Sequence, residues 1–334
     1  MAEVLGVDLG TVQGWESGRR PLAHMKAGAL VGLRRRLAVL GAEPNVVGLL
    51  DAAMDADRIV GAALDPPEVT ELHPLASWVH TRDTAHMLAW AIVGTPPPAL
   101  TGRIPPPRRG PVAAAPLLAA GDRAAFFTHL RETVEAARRP GGGALLHRQA
   151  LYLTSYDRGP DAASWTASAL HARRGVLARR GWSEHWAEAR STATALARLG
   201  DPQPLLDFIE RSLAGDDTAE AANLNYWAYW LGALGDPQAD DLFMRDRELS
   251  GWDPAVLLRR FGQGLVIRAP GYLDLYVHSL WALLTAHPWL PQAYRPMAAV
   301  LAERTGQLLD GGGISERSRR ELTDVHYVLD DRYH

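Results

Sequence analysis

Arg19, Arg20, Lys26, Arg34, Arg35 and Arg36 crowd the start of the chain. Guanidinium and ammonium groups at that density suit phosphate oxygens. A sequence-specific DNA reader needs only such a local patch, whatever the charge elsewhere. The residues that must position them stand just ahead. Ala2, Val4, Leu5 and Val7 supply a short apolar face, and Gly6 lies beside a turn. Asp8 is placed to cap a second helix by accepting from its free backbone N–H groups. Thr11, Val12 and Trp15 start that helix, with Val12 and Trp15 three apart on its inward side. Gly18 is placed to end it, before Arg19, Arg20 and Pro21. Helix, tight turn, helix is the grammar of a helix-turn-helix reader, whose second helix enters the major groove.

The run Ala2-Glu3-Val4-Leu5-Gly6-Val7, then Thr11-Val12, then Trp15-Glu16-Ser17-Gly18-Arg19-Arg20, resembles the Xre/Cro-type helix-turn-helix regulator family over about residues 1–40. Members commonly read LA-x-x-LGVS-x-x-TVSRWERGRR-x-P. The resemblance implies base contacts from the turn and the exposed face of the second helix, here Leu9, Gly10, Thr11, Gln13 and Gly14. Only Thr11 and Gln13 among them can hydrogen-bond to base edges, and Gln suits adenine. Arg19, Arg20 and Lys26 would hold phosphates. Family members carry a further helix before this stretch, and Met1 falls where their second helix begins. Without that helix Val4, Leu5, Val12 and Trp15 lose their usual cover, so the resemblance implies a chain truncated at its start, a relic domain, or another surface that covers the gap. Burying one such side chain is worth roughly 1.5–3 kcal/mol.

A second constellation is Asn223-Leu-Asn-Tyr226-Trp227-Ala-Tyr229-Trp230. On a helix, Asn223, Trp227 and Trp230 face one way, with Tyr226 and Tyr229 on an adjacent side. Large rings with polar tips beside an amide suit a groove for a peptide or small ligand. The same residues would equally fill an inter-helix core. His278 could pair with Asp274 one turn earlier, most simply as a buried, hydrogen-bonded histidine. The other histidines form no His-x-x-x-His pair, so no metal or cofactor is expected. The glycine runs 141–143 and 311–313 lack a phosphate-loop pattern, and Ser155, Ser164 and Ser168 lack a Gly-x-Ser-x-Gly setting.

Composition limits the classes. The chain has 334 residues, 47% of them hydrophobic, and a net charge of −3. That is no polycation, so nucleic acid does not run along the whole molecule. Lys26 is the only lysine, a bias of genome composition more than of arginine-specific contacts. The absence of cysteine excludes disulfides, thiol nucleophiles and Cys-ligated metals. No signal peptide is visible, and the most apolar segment, 272–286, is too short to span a bilayer. A cytoplasmic location and no membrane partner follow as expectations.

The chain divides into a helix-turn-helix region at 1–44, connecting helices at 45–94, a Pro-rich linker at 95–112 and a helical domain at 113–334. Leu30, Leu33, Leu37 and Leu40 mark the last helix of the reader, ended by Gly41. In the large domain, helical apolar spacing recurs through 185–199, 205–213 and 224–234, and alternating β patterns are scarce. Leu199-Gly-Asp-Pro-Gln203 returns 35 residues later as Leu234-Gly-Asp-Pro-Gln238, and a third Asp-Pro stands at 253–254. Such joints predict helices starting near Asp201, Asp236 and Asp253. The offset suggests stacked helix pairs, faintly similar to tetratricopeptide repeats, with an irregular bundle as the alternative. The expected class is all-α.

The functional expectation is a transcriptional regulator that binds double-stranded operator DNA as a homodimer, with the helical domain taking a peptide or small-molecule effector. The alternative is a helical scaffold or ligand-binding protein that has lost DNA binding. An enzyme is disfavoured because no acid–base pair, nucleophile or metal set is evident.

Overall fold

The computed structural model describes residues 2–16, 20, 22–66, 72–101, 117–137, 143–159, 161–264, 270–311 and 313–330. Arg19 and most of the Pro-rich linker, residues 102–112, lie outside them. Regular structure among the described residues is all helical. In chain order the helices are α1 (Ala2–Leu5), α2 (Leu9–Glu16), α3 (Ala27–Val39), α4 (Pro44–Val47), α5 (Leu49–Leu64), α6 (Pro74–Ser77) and α7 (Arg82–Val93). Then follow α8 (Ala120–Ala137), α9 (Ala144–Thr154), α10 (Ala162–Ala172), α11 (Trp186–Arg198), α12 (Gln203–Ser212) and α13 (Asp217–Trp230). The last are α14 (Phe243–Asp246), α15 (Pro254–Gly264), α16 (Tyr272–Ala286), α17 (Leu290–Ala293), α18 (Arg295–Gly311) and α19 (Glu316–Leu329). None is long and apolar enough to cross a membrane. Contacts divide the chain into Met1–Glu132 and Thr133–His334, a division that falls inside α8.

In the first unit, α3 ends as its spacing implies. Gly41 N–H bonds to Ala38 O and Ala42 N–H to Leu37 O, so the last carbonyls are satisfied. The connecting helices are α5, which packs on α6 and α7, and α7 itself. Thr81 caps α7 by accepting from Thr84 N–H. His73 caps α6 through Nδ1, which accepts from Leu75 N–H at 3.0 Å. That bond puts the His73 proton on Nε2, which lies 3.1 Å from Nε2 of His129. Burial, then the nearby His129, pushes His73 down to about 4.

The second unit is organised around α16, which packs on α12, α13, α15 and α19. One helix thus touches four others, of which only α15 is its neighbour in the chain, as the central helix of a bundle does. The Gly-Asp-Pro joints account for part of it. Gly200 adopts a left-handed φ of 99°, its N–H and that of Asp201 close α11, and α12 follows directly. Asp253 Oδ1 accepts from Ala255 N–H at 2.8 Å and α15 begins at Pro254. No helix starts at Asp236. Gly232 takes a left-handed φ of 75° and Ala233 N–H bonds back to Ala228 O, so α13 ends before the second joint is reached. Residues 235–240 are irregular, and the next helix is the four-residue α14. Asp201 also departs from its expected capping role and pairs with Arg174 at 2.5 Å.

Trp227 packs at the heart of this unit, its ring 4.6 Å from that of Tyr276 and 5.4 Å from that of Phe261. Beside it lies a buried ionic layer. His278 Nδ1 is 3.0 Å from Glu321 Oε1 on α19, and Nε2 is 3.2 Å from Glu220 Oε1 on α13 without hydrogen-bond alignment. Arg317 Nε donates to the same Glu321 oxygen at 2.9 Å. The expected His278–Asp274 pair does not form. Asp274 instead accepts from Gly271 N–H at 3.1 Å and Ser315 N–H at 2.8 Å, which ties the start of α16 to the approach to α19.

Two outcomes are expected. Phe261→Ala removes a fully buried ring from between two others and should cost about 3–5 kcal/mol in urea unfolding. The second concerns His278. Burial opposes its charge, but attraction to Glu220 and Glu321 wins and raises its pKa to about 9. A raised folded pKa means stability that is fully present below about 6.5 and is lost as pH climbs through about 9. Unfolding curves at pH 6 and pH 9.5 should therefore differ by something on the order of 3 kcal/mol. His278→Gln should flatten that dependence.

Candidate nucleic-acid interface

The first three helices form a small closed core. Leu5, Val12 and Leu33 are buried together, and Ala2, Val7, Trp15, Leu22, Met25 and Leu37 pack around them. Apolar positions on α1, α2 and α3 thus converge because each short helix has one apolar stripe to cover. Leu5 and Val12 are therefore covered, and Trp15 partly so, by another surface of the same region. Leu33 and Leu37 of α3, with Leu22 and Met25 ahead of it, cover that face. Val4 remains exposed, as expected.

The turn between α1 and α2 is fixed at two points. Gly6 has a left-handed φ of 63°, and a Cβ there would lie 2.6 Å from Nη1 of Arg36. Arg36 donates from that nitrogen to the Leu5 carbonyl at the open end of α1. Glycine is thus needed both for its backbone angle and for the arginine that reaches across it. Asp8 then caps α2, as its position implies. Its Oδ1 accepts from Thr11 N–H at 2.8 Å and its Oδ2 from the Thr11 hydroxyl at 2.5 Å. These two bonds, the hydroxyl one foremost, hold the Asp8 carboxyl below the usual carboxylate range.

The two helical segments are separate, Val12 faces inward and Gln13 is exposed, as a reading helix requires. Leu9 and Gly10 are also exposed at the start of α2. Two other expected base-reading positions are covered. Gly14 is buried, and a Cβ on it would lie 3.0 Å from the Cγ and Cδ of Arg20. Arg20 folds back along α2, its N–H on Gly14 O at 3.0 Å and its Nη1 on Thr11 Oγ1 at 2.9 Å. The Thr11 hydroxyl therefore donates to Asp8 and accepts from Arg20, which leaves it little to offer a base edge.

The basic patch divides in the same way. Lys26 and Arg35 are exposed, and Arg20 is exposed while bonded to Thr11. Arg34 pairs with Asp51 of α5, and Arg36 is spent on Leu5. Neither role was legible from the sequence, because each partner lies far along the chain with no periodic signal.

The aromatic constellation of α13 is core. Asn223 is fully buried, donating to Ser279 Oγ at 2.9 Å, and Tyr226, Trp227 and Tyr229 are buried with it. Trp230 is half-buried, stacked on Tyr226 at 5.8 Å between centroids. These residues hold α13 against α15 and α16 and do not line an open groove of their own.

In comparisons with protein-family models, curated proteins and solved structures, nothing matches this chain.

Proposed function

We propose that the chain is a cytoplasmic, DNA-binding transcriptional regulator that acts as a homodimer on a palindromic operator. One observation carries the reading: α1 and α2 are locked to α3 by the Leu5, Val12 and Leu33 core while Gln13, Arg20 and Lys26 are exposed. A helix so held can enter a major groove without ordering itself first. Gln13 is the side chain suited to an adenine edge, and the cations set register on phosphates. The helical unit Thr133–His334 supplies the effector-binding part, and no catalysis enters.

A second reading, a helical ligand-binding scaffold without DNA recognition, is favoured by the bonds that occupy Thr11. With that hydroxyl held by Asp8 and Arg20, base discrimination falls chiefly on Gln13.

Mobility shifts against duplex from the chain's own promoter, at two salt concentrations, separate the two readings. The regulator should prefer that duplex over random sequence and weaken steeply with salt, because each phosphate contact releases counterions. Gln13→Ala should cost about 1–3 kcal/mol of discrimination. Lys26→Ala should weaken binding to every sequence alike and flatten the salt slope by about one unit. Equal affinity for promoter and random duplex would leave the scaffold reading in its place.

A further inference from the structure

We infer that the groove along α18, inside the unit Thr133–His334, binds a linear aliphatic polyamine. The groove is lined by one face of α18, the middle of α17 and the end of α19, and its volume is about 930 Å³. Small-molecule sites occupy roughly 300–1,000 Å³. Its floor includes Ala298, Ala302 and Gly306, which recur every fourth residue and so share one face of α18. None of the three carries a side chain beyond Cβ, so the groove is open down to the helix itself. A Cβ on Gly306 would lie 3.4 Å from Cε1 of His326, so the glycine lets that imidazole stand close against the floor. Tyr327 and Val328, 72% and 44% exposed, form the wall from α19. Such surfaces suit an apolar stem of methylene groups.

The polar groups of the groove select the charge of the guest. Glu303, Asp310 and Asp330 line it as acids and Arg295 as a base, so its net charge is negative. Neither Glu303 nor Asp310 pairs with a cation among the described residues, and Glu303 accepts only from Gln307 Nε2 at 3.3 Å. His326 adds a neutral acceptor. The Thr305 hydroxyl donates its one proton to Ala302 O at 3.0 Å, so His326 Nδ1, also 3.0 Å from that hydroxyl, must be the donor between them. The neutral ring then keeps its lone pair on Nε2, which has no partner among the described residues. Carboxylates and a ring nitrogen call for N–H donors that carry positive charge. A metal ion does not answer the same need, because no group of three His, Asp or Glu among the described residues could hold one. Glu303 and Asp310 stand two turns apart on one side of α18, roughly 10 Å along the axis. One ammonium group cannot meet both, whereas a chain with ammonium groups at about that separation can.

The groove belongs to this unit alone, and only its role as the effector site of a regulator rests on the reading above. Binding is therefore measured on the full chain without DNA, so that a failure here leaves the mobility-shift result untouched. The probes are spermidine, the terminal diamine of octane, putrescine, butylamine and magnesium chloride, titrated at constant ionic strength with calorimetry and thermal unfolding as readouts. Spermidine and the octane diamine should bind saturably and raise Tm. Putrescine and butylamine, too short to meet both carboxylates, should bind roughly tenfold more weakly or worse. Removing both charges with Glu303→Gln and Asp310→Asn should weaken spermidine by a similar factor. Removing two exposed charges of α19 outside the groove, with Glu316→Gln and Asp324→Asn, should leave its affinity unchanged. The length series on the wild-type chain decides the matter should the groove variant fail to fold. No saturable binding of spermidine, equal affinity for butylamine or magnesium, or an undiminished affinity in the groove variant would each overturn the inference.

Discussion

The burial of Leu33 with Leu5 and Val12 is the constraint on which the N-terminal unit depends. A four-residue helix and an eight-residue helix are too short to persist alone in water. Their order comes from tertiary contact, and α3 supplies it. Once Leu33 fixes the inward faces of α1 and α2, the outward face is fixed as well, because side-chain direction on a helix follows from its phase. Gln13 points out because Val12 points in. Arg36 completes the arrangement from the same helix by holding the carbonyl at the end of α1.

The larger unit solves a different problem, the enclosure of many charged and aromatic groups. Its interior places Trp227, Phe261 and Tyr276 in edge contacts beside the Glu220–His278–Glu321 layer. The ionic layer draws one member from each of α13, α16 and α19, so it sets which faces of these helices may meet. Charge is balanced there by two carboxylates against one imidazolium and Arg317. His278 is thus a strut across three helices.

The sequence carried the local signals and missed the distant ones. The leucine spacing of α3, the cap at Asp8 and the Gly200 joint were all legible, because each is a contact within a turn or two. The second Gly-Asp-Pro joint misled because Gly232, three residues before it, had already closed α13. The aromatic run of α13 could be read as groove or core, and only burial against α15 and α16 decides it. The partners of Arg36, His278 and Asp274 lie 31, 43 and 41 residues away, at distances where periodicity says nothing. The site residues were therefore half visible. The pattern marked α2 as a reading helix, but the fold alone reveals that Arg20 covers Gly14 and engages Thr11.

We propose α2 and its flanking cations as the surface that meets DNA. Amide hydrogen exchange of the full chain, with and without the promoter duplex, tests it most directly, because it reports where on the chain the duplex lands. Added protection should be confined to residues 9–26 and the first turn of α3. Protection that falls instead within Thr133–His334, or none anywhere at saturating duplex, would contradict it.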